Sequence, residues 1–305
     1  MIGDIMKNLI KMELKKAIVS KFFLMGLALL LLFSVLSGVY MIENRVSYNP
    51  ETITTLDYYY ENGGFKTNPD LPIFGFYNSW VGGEALSLFQ SLFFNLVPIA
   101  AAIPFAWSYH TERKSGYLKN IASRTDKKKY FIAKTIAVFT SGALVVLIPL
   151  IANIILVSAF VPAIDPFAGY TFYNYRYIGE MWVDLYFNCP ALYLTLYVML
   201  DALYGGIFAL LSFAVAFYIK NILAVLFVPY FLVMATGYLQ NIINNNLRAA
   251  AKGFYVQYEF NPSVFLHSLM YGGHRLWFVI WGIALALLLF SIATIFIRGF
   301  NDEIF

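Results

Sequence analysis

The chain has 305 residues, of which 60% are hydrophobic and only 12% are charged, and its formal net charge is +4. Soluble domains average about 45–50% apolar and about 25% charged residues, and no single core could hide this much apolar surface. The composition therefore excludes an ordinary soluble protein and indicates a chain for which the lipid bilayer acts as solvent. Cys189 is the only cysteine, which excludes an intrachain disulfide and a cysteine-based metal cluster.

Residues 2–18 come first in the chain and are too charged to cross a membrane. Their apolar residues recur with helical spacing, which predicts an amphipathic helix that lies on the inner leaflet. The polar face carries Lys7, Lys11 and Lys15, whereas Glu13 and Lys16 fall on the apolar face and interrupt the pattern. A basic flank that only sets the orientation of the chain is the alternative interpretation.

Six apolar stretches follow, and each is long enough to span a bilayer. A helix rises about 1.5 Å per residue, so about 20 residues cross the hydrocarbon core, and unpaired backbone groups cannot face lipid. The predicted spans are residues 22–42, 86–107, 134–161, 191–219, 222–240 and 276–297. The sequence thus predicts an all-α membrane protein in which residues 1–305 form a single transmembrane domain with about six spans.

The distribution of Lys and Arg predicts the orientation, because these residues concentrate on the cytoplasmic side of membrane proteins. With the N-terminus inside, 15 of the 21 Lys and Arg residues lie in cytoplasmic segments and 6 lie outside. The opposite orientation would invert this bias. We therefore expect both termini to be cytoplasmic.

The cytoplasmic segment between the second and third predicted spans carries most of the functional information. As a helix over residues 112–124, it would place Tyr117, Leu118, Ile121 and Ala122 on one face. So short a helix below the membrane is marginal alone and needs a partner surface for that face. A solvated basic loop is the alternative interpretation.

The same segment contains a recognisable pattern, Glu112-x-x-x-Gly116-x-Leu118-Lys119-x-x-x-Ser123-Arg124, followed by a Lys-rich run and by Lys134 at the start of a span. This pattern resembles the first cytoplasmic loop of permeases of ABC-2-type transporters, the transmembrane subunits of ABC exporters. The chain departs from the family in having Tyr117 where Thr is common and Thr125-Asp126 where Pro or Ser is often found. The layout of the whole chain is also similar to that family.

The resemblance implies that this loop is a coupling helix, which docks in a groove of a separate ATPase subunit. Carried over to this sequence, it places Glu112, Gly116, Leu118 and Lys119 on the coupling element. The apolar face of the predicted helix adds Tyr117 and Ile121. The resemblance further implies that the N-terminal helix contacts the ATPase.

The family also implies the partners: two permeases, identical or related, assemble with two ATPases in the plasma membrane, typically of bacteria. This chain has no Gly-x-x-x-x-Gly-Lys-Ser/Thr loop to hold nucleotide phosphates. We therefore expect that it is not an enzyme and holds no cofactor itself, and that ATP and Mg²⁺ bind the ATPase. An aromatic, apolar path suits drugs, lipids and antimicrobial peptides alike as exported substrates.

Asp201 is the only charged residue deep within a predicted span. An ionisable residue inside a membrane is costly and by default marks a function, so Asp201 is a candidate for the translocation path, as is Asn95. A structural hydrogen bond between Asp201 and Asn95 or a tyrosine hydroxyl is the alternative.

Three other classes of protein remain open. A membrane sensor or immunity protein would make use of the long, Tyr-rich outer segments, and a secondary transporter driven by an ion gradient would make use of Asp201. An intramembrane hydrolase needs clustered catalytic groups, but the three histidines, His110, His267 and His274, all lie near span ends.

Overall fold

A computed structural model describes residues 2–46, 75–84, 87–106, 108–118, 126–166, 181–250, 258–268 and 277–300. The regular elements within these ranges are helices, which confirms the predicted all-α class. Their bounds are α1 Ile2–Ile18, α2 Lys21–Val46, α3 Leu88–Ala102, α4 Ser108–Lys114, α5 Lys127–Ser158, α6 Val183–Asn188, α7 Pro190–Val215, α8 Ile222–Ala250, α9 Pro262–Phe265 and α10 Trp277–Phe300, with a 3-10 turn at Phe76–Asn78.

Five of these helices, α2, α5, α7, α8 and α10, are long and apolar enough to cross a membrane. The chain is therefore a multi-pass membrane protein. The predicted span over residues 86–107 is shorter in the structure, because α3 has 15 residues and gives way to turns at residues 103–106. Pro104 lies in these turns, and a proline has no backbone N–H with which to continue a helix.

The central element is α7, which is enclosed by its neighbours. In an apolar stretch of 18 residues taken from each helix, 83% of the residues are buried in α7, against 17% in α8 and 28% in α10. Its closest neighbour is α5, and the two backbones approach at glycines: a Cβ atom added to Gly205 would lie 2.9 Å from the Gly142 carbonyl oxygen. Small residues at such crossings let membrane helices pack by close contact.

Side-chain contacts identify one end of the bundle, which we call the basic end. There Glu13 of α1 meets Lys134 near the start of α5, and the Arg298 guanidinium, near the end of α10, lies 5.1 Å from the Tyr218 ring just after α7. The end of α3 joins them, since the Ser20 hydroxyl donates to the Pro104 carbonyl at 3.5 Å. Exposed Lys and Arg residues of α1 and α4, together with Lys220, also lie at this end.

The opposite end is closed by residues 75–84, which are largely buried although only three of them form a helical turn. Irregular backbone at membrane depth must find its hydrogen bonds within the protein. The Val81 N–H donates to Asn153 Oδ1 at 2.8 Å, and the Ser268 hydroxyl donates to the Gly82 carbonyl at 2.7 Å. These contacts join the end of α5 and the segment after α9, so that α2, α5 and α8 run away from the basic end, whereas α3, α7 and α10 run back towards it.

Candidate functional site

The two charged residues that interrupt the apolar face of α1 lie at the centre of a buried ion cluster. Glu13 is fully buried on the face of α1 that packs against α5, between Leu9 and Ala17. Its carboxylate accepts from the Lys16 ammonium at 3.0 Å and from the Lys134 ammonium at 3.4 Å. The break in the amphipathic pattern is therefore where α1 is joined to the span.

Lys134 is the fully buried cation of this cluster. Besides Glu13, it donates to Glu112 Oε1 at 2.7 Å, and its ammonium lies 4.1 Å from the centre of the Phe105 ring. Burying an ammonium group costs several kcal/mol unless opposite charges and hydrogen bonds surround it. Two lysines face two glutamates here, so the cluster is balanced in charge.

Two tyrosine hydroxyls complete the hydrogen bonding. The Tyr130 hydroxyl donates to Glu112 Oε2, and the Lys16 ammonium donates to the Tyr117 hydroxyl. Burial lowers the pKa of Lys16, but the bond to Tyr117 and the charge of Glu13 outweigh it, so the pKa lies above its usual value. Lys16 is therefore charged throughout the physiological range, and the cluster joins α1, residues 108–118 and α5.

The predicted coupling helix is interrupted. Helix α4 ends at Lys114, and Gly116 follows in the left-handed region with φ +73°, a conformation in which glycine lacks the strain of a side chain. The helix is therefore broken at this residue, and Leu118, in the helical residues 117–118 that follow, is fully buried in a cluster with Ala17 and Tyr109 of this same chain. Leu118 thus packs internally rather than outward; Lys119 and Ile121 lie outside the described residues.

The outward surface of the segment is polar. Thr111, Arg113, Lys114 and Ser115 are exposed, whereas Glu112 points inward to the ion cluster. On α1, Leu9, Glu13 and Ala17 are buried on the side that packs on α5, Met12 of the predicted apolar face is exposed, and Lys7, Lys11 and Lys15 are exposed as well. A partner that approaches the basic end meets these polar and basic side chains.

His110 anchors α4 to the end of α7. It is 7% exposed, and its Nε2 atom has no hydrogen-bond partner. Burial lowers its pKa, the charges of Lys114 and Arg113 lower it further, and a hydrogen bond to the Ile219 backbone opposes them in part. The imidazole is therefore neutral at pH 7, so it is not repelled by the positive charges of Lys114 and Arg113.

Asp201 and Asn95, both predicted for the translocation path, make no hydrogen bond to each other. The Asn95 amide donates to the Ser91 carbonyl one turn back in α3, at 2.8 Å. Asp201 is 1% exposed in the middle of α7, and neither carboxylate oxygen has a hydrogen-bond partner. The structural hydrogen bond considered for Asp201 is thus not formed in this structure.

Sequence reasoning found Glu112 and Lys134 through the loop pattern and missed the roles of Glu13, Lys16 and Tyr130. The available signal was the presence of Glu13 and Lys16 on an otherwise apolar helix face. Among the described residues, no group of three His, Cys, Asp or Glu side chains is placed to hold a metal ion.

Comparisons with protein-family models, with curated proteins and with solved structures find no match to this chain. Its function is therefore argued from the residues and contacts described above.

Proposed function

We propose that this chain is the permease subunit of an ATP-driven exporter of the ABC-2 type, coupled at its basic end to a separate ATPase. The observation that carries the proposal is the ion cluster around Lys134. It joins a short surface segment to the start of a membrane span through buried charges. A subunit that receives force from outside the membrane needs such a connection, whereas a pure sensor of external ligands does not.

The contacts supply a route for that force. The exposed side of α4 is available to a partner, while its inward side holds Lys134 through Glu112. Lys134 lies in α5, which packs along the central helix α7 at the Gly142–Gly205 crossing. A push on α4 therefore moves α5 against α7, and such a displacement between packed helices opens and closes a path in a membrane bundle.

The proposed topology has six crossings with both termini in the cytoplasm. The five long helices and α3 alternate in direction, and α3 together with residues 103–106 makes the sixth crossing. Lys and Arg residues gather at the basic end, which is the distribution expected of a cytoplasmic face. The ATPase would therefore dock at that face.

The complete exporter would contain two permeases, either two copies of this chain or this chain with a related one, and two ATPases that bind ATP and Mg²⁺. Its substrates are proposed to be apolar or amphipathic molecules of the drug, lipid or antimicrobial-peptide classes. Asp201 and Asn95 are proposed to lie along the path that these molecules take.

Co-purification tests this proposal. The native chain, isolated from its own cell membranes in mild detergent, is expected to carry a polypeptide that becomes labelled with azido-ATP on illumination. Lys114→Glu reverses an exposed charge on the outer face of α4 and should reduce the labelled partner at least tenfold. Arg248→Glu makes the same change at an exposed site on the opposite end and should leave it unchanged.

If the native chain carries no ATP-binding polypeptide, the permease assignment fails. A membrane sensor or a carrier driven by an ion gradient then becomes the better interpretation. If Lys114→Glu and Arg248→Glu lose the labelled partner equally, ATPase binding does not depend specifically on α4.

A further inference from the structure

Two buried carboxylates in this chain have opposite surroundings. Glu13 is 0% exposed and faces two lysines, and Asp201 is 1% exposed and faces none. Both oxygens of Asp201 lack a hydrogen-bond partner and have no accessible surface. Among the described residues, Asp201 is thus a buried carboxylate with neither a hydrogen bond nor an ion pair to stabilise a negative charge.

The charged groups of the elements packed against α7 lie far from Asp201. Val146 of α5 packs against Gly205, one turn from Asp201, and about 18 Å of helix rise separates Val146 from Lys134. On α10, Ile280 pairs with Tyr204, and about 27 Å separates Ile280 from Arg298.

Segment 258–268 contacts α7 on both sides of Asp201, through Phe265 at Tyr204 and Ser268 at Tyr193. Its His267 ring is directed to the Gln90 side chain and packs on Phe94. The other neighbours supply no cation at this level. Helix α3 carries no ionisable side chain, and α6 carries an exposed Asp184. The other ionisable groups of these elements are Tyr77 in the 3-10 turn, Lys127, Lys128, Lys129 and Tyr130 in α5, Tyr186 in α6, Tyr193, Tyr197 and Tyr204 in α7, and Tyr230, Tyr238 and Arg248 in α8. Tyr204 lies three residues after Asp201 in α7, but its hydroxyl donates to the Ile280 carbonyl and not to Asp201.

An ionised carboxylate in these surroundings would bear its full desolvation cost, which is several kcal/mol even after the protein relaxes. A metal ion would need several oxygen ligands and the space to hold it, and neither Asp201 oxygen has accessible surface. A proton needs no additional space. We propose that Asp201 is a proton-binding site at the centre of the bundle, occupied in this packed arrangement.

The location of the site links the proton to helix packing. Release of the proton leaves a charge that needs water or a cation beside it, and one turn away the α5 and α7 backbones are in contact at Gly142 and Gly205. Asp201 and Gly205 are four residues apart and share one face of α7, so we expect water to reach Asp201 when α5 and α7 separate. Proton release and a change of the α5–α7 contact are therefore coupled, whether the energy comes from ATP or from another source.

Infrared difference spectroscopy on the full-length protein at pH 7 tests this inference. The spectrum of the native chain minus that of Asp201→Asn is expected to contain the C=O stretching band of a protonated carboxylic acid, shifted in D₂O. The matched control is the spectrum of the native chain minus that of Glu13→Gln. This difference spectrum is expected to contain carboxylate bands, because Glu13 is ion-paired. An Asp201 difference spectrum with carboxylate bands and no acid band would overturn the inference.

A second measurement covers the case in which Asp201→Asn does not assemble. Native protein with ¹³C-labelled aspartate side chains should show an acid C=O band at lower wavenumber than the same band of unlabelled native protein. Asp126, Asp165 and Asp184 are exposed and contribute carboxylate bands. Absence of a shifted acid band rejects the proton at Asp201. Neither experiment involves an ATPase, so either result is independent of the permease proposal.

Discussion

Lys134 shows how a single residue can hold three segments together. Its ammonium contacts the carboxylates of α1 and α4, and its own backbone belongs to α5. A buried ion pair contributes little net stability compared with apolar packing, yet removal of one partner leaves an uncompensated charge and is strongly destabilising. The residue therefore matters more for the connection between segments than for the total stability of the fold.

Lys134→Met is expected to destabilise the protein by about 3–5 kcal/mol, because Glu13 and Glu112 lose their buried cation. Unfolding in mixed micelles with increasing dodecyl sulfate measures the change. Lys114→Met, which removes an exposed charge at the end of α4, should change stability by less than about 0.5 kcal/mol. Adding Glu13→Gln and Glu112→Gln to Lys134→Met should recover part of the loss; equal stability of the two single variants would contradict the role assigned to Lys134.

His110 should give the protein a pH dependence between about pH 6.5 and the lowered pKa of the folded state. Since burial lowers the pKa in the folded state, the unfolded chain binds the proton more readily, and stability falls as the pH drops through this window. Thermal unfolding at pH 7.5 and pH 5 measures the loss. His110→Gln, which cannot take up that proton, should show a smaller loss than the native chain, and an unchanged loss would exclude His110 as its source.

Sequence reasoning singled out Glu112 and Lys134 for the loop pattern and did not predict the ion cluster that they form with Glu13 and Lys16. Glu13 is visibly out of place on an apolar helix face, but its partner Lys134 lies 121 residues away, and one sequence offers no rule for choosing among distant lysines. Leu118 was placed on an outward face because helical spacing was continued through residue 116. The left-handed conformation of Gly116 interrupts the helix there, and periodicity contains no signal for such an interruption.

At the scale of the elements, five of the six long apolar runs coincide with helices long and apolar enough to cross a membrane, but some of these helices begin or end several residues away from the run. Helix α5 begins at Lys127 rather than at residue 134, because the Asp126 side chain accepts from the Lys128 N–H and caps the helix there. Helix α8 continues to Ala250, where Asn244 exchanges hydrogen bonds with the Tyr258 backbone. The start of α5 is thus set by a polar cap, and α8 carries polar contacts beyond its apolar run, neither of which hydropathy detects.

The α5–α7 crossing at Gly142 and Gly205 lies one helical turn from Asp201, and it predicts a specific intolerance. Gly205→Leu should disrupt the fold or lower the melting temperature by several degrees, because its Cβ alone would lie 2.6 Å from Val146 and 2.9 Å from the Gly142 carbonyl. Gly282→Leu is the matched control in α10, where no atom lies within 4 Å of an added Cβ. Thermal unfolding of both variants in the same detergent compares them, and an equal response would show that the crossing is not tightly packed.

At the scale of the whole molecule, hydrogen bonds and ion pairs divide the bundle into two unlike ends. The basic end carries exposed lysines and arginines around the ion cluster, and the other is closed by buried residues 75–84. This asymmetry favours an oriented function, because a partner with a negatively charged surface is attracted more strongly to the basic end. Composition predicted the membrane class and the charge bias, but the closing segment could not be predicted, since its ten residues mix aromatic, glycine and polar residues without helical periodicity and are too few to span a bilayer.

The orientation of these ends in the membrane is tested with single cysteines. Cys189, the native cysteine, is exposed at the start of α7, on the end opposite to the basic end. In intact cells it should react with a membrane-impermeant maleimide. Lys114→Cys, placed in a Cys189→Ser background, should react only after the membrane is permeabilised, because α4 lies at the basic end and that end is proposed to face the cytoplasm. The reverse pattern would place α4 outside the cell, where no ATP-driven partner can act on it, and the coupling proposal would fail even if the bundle itself is correct.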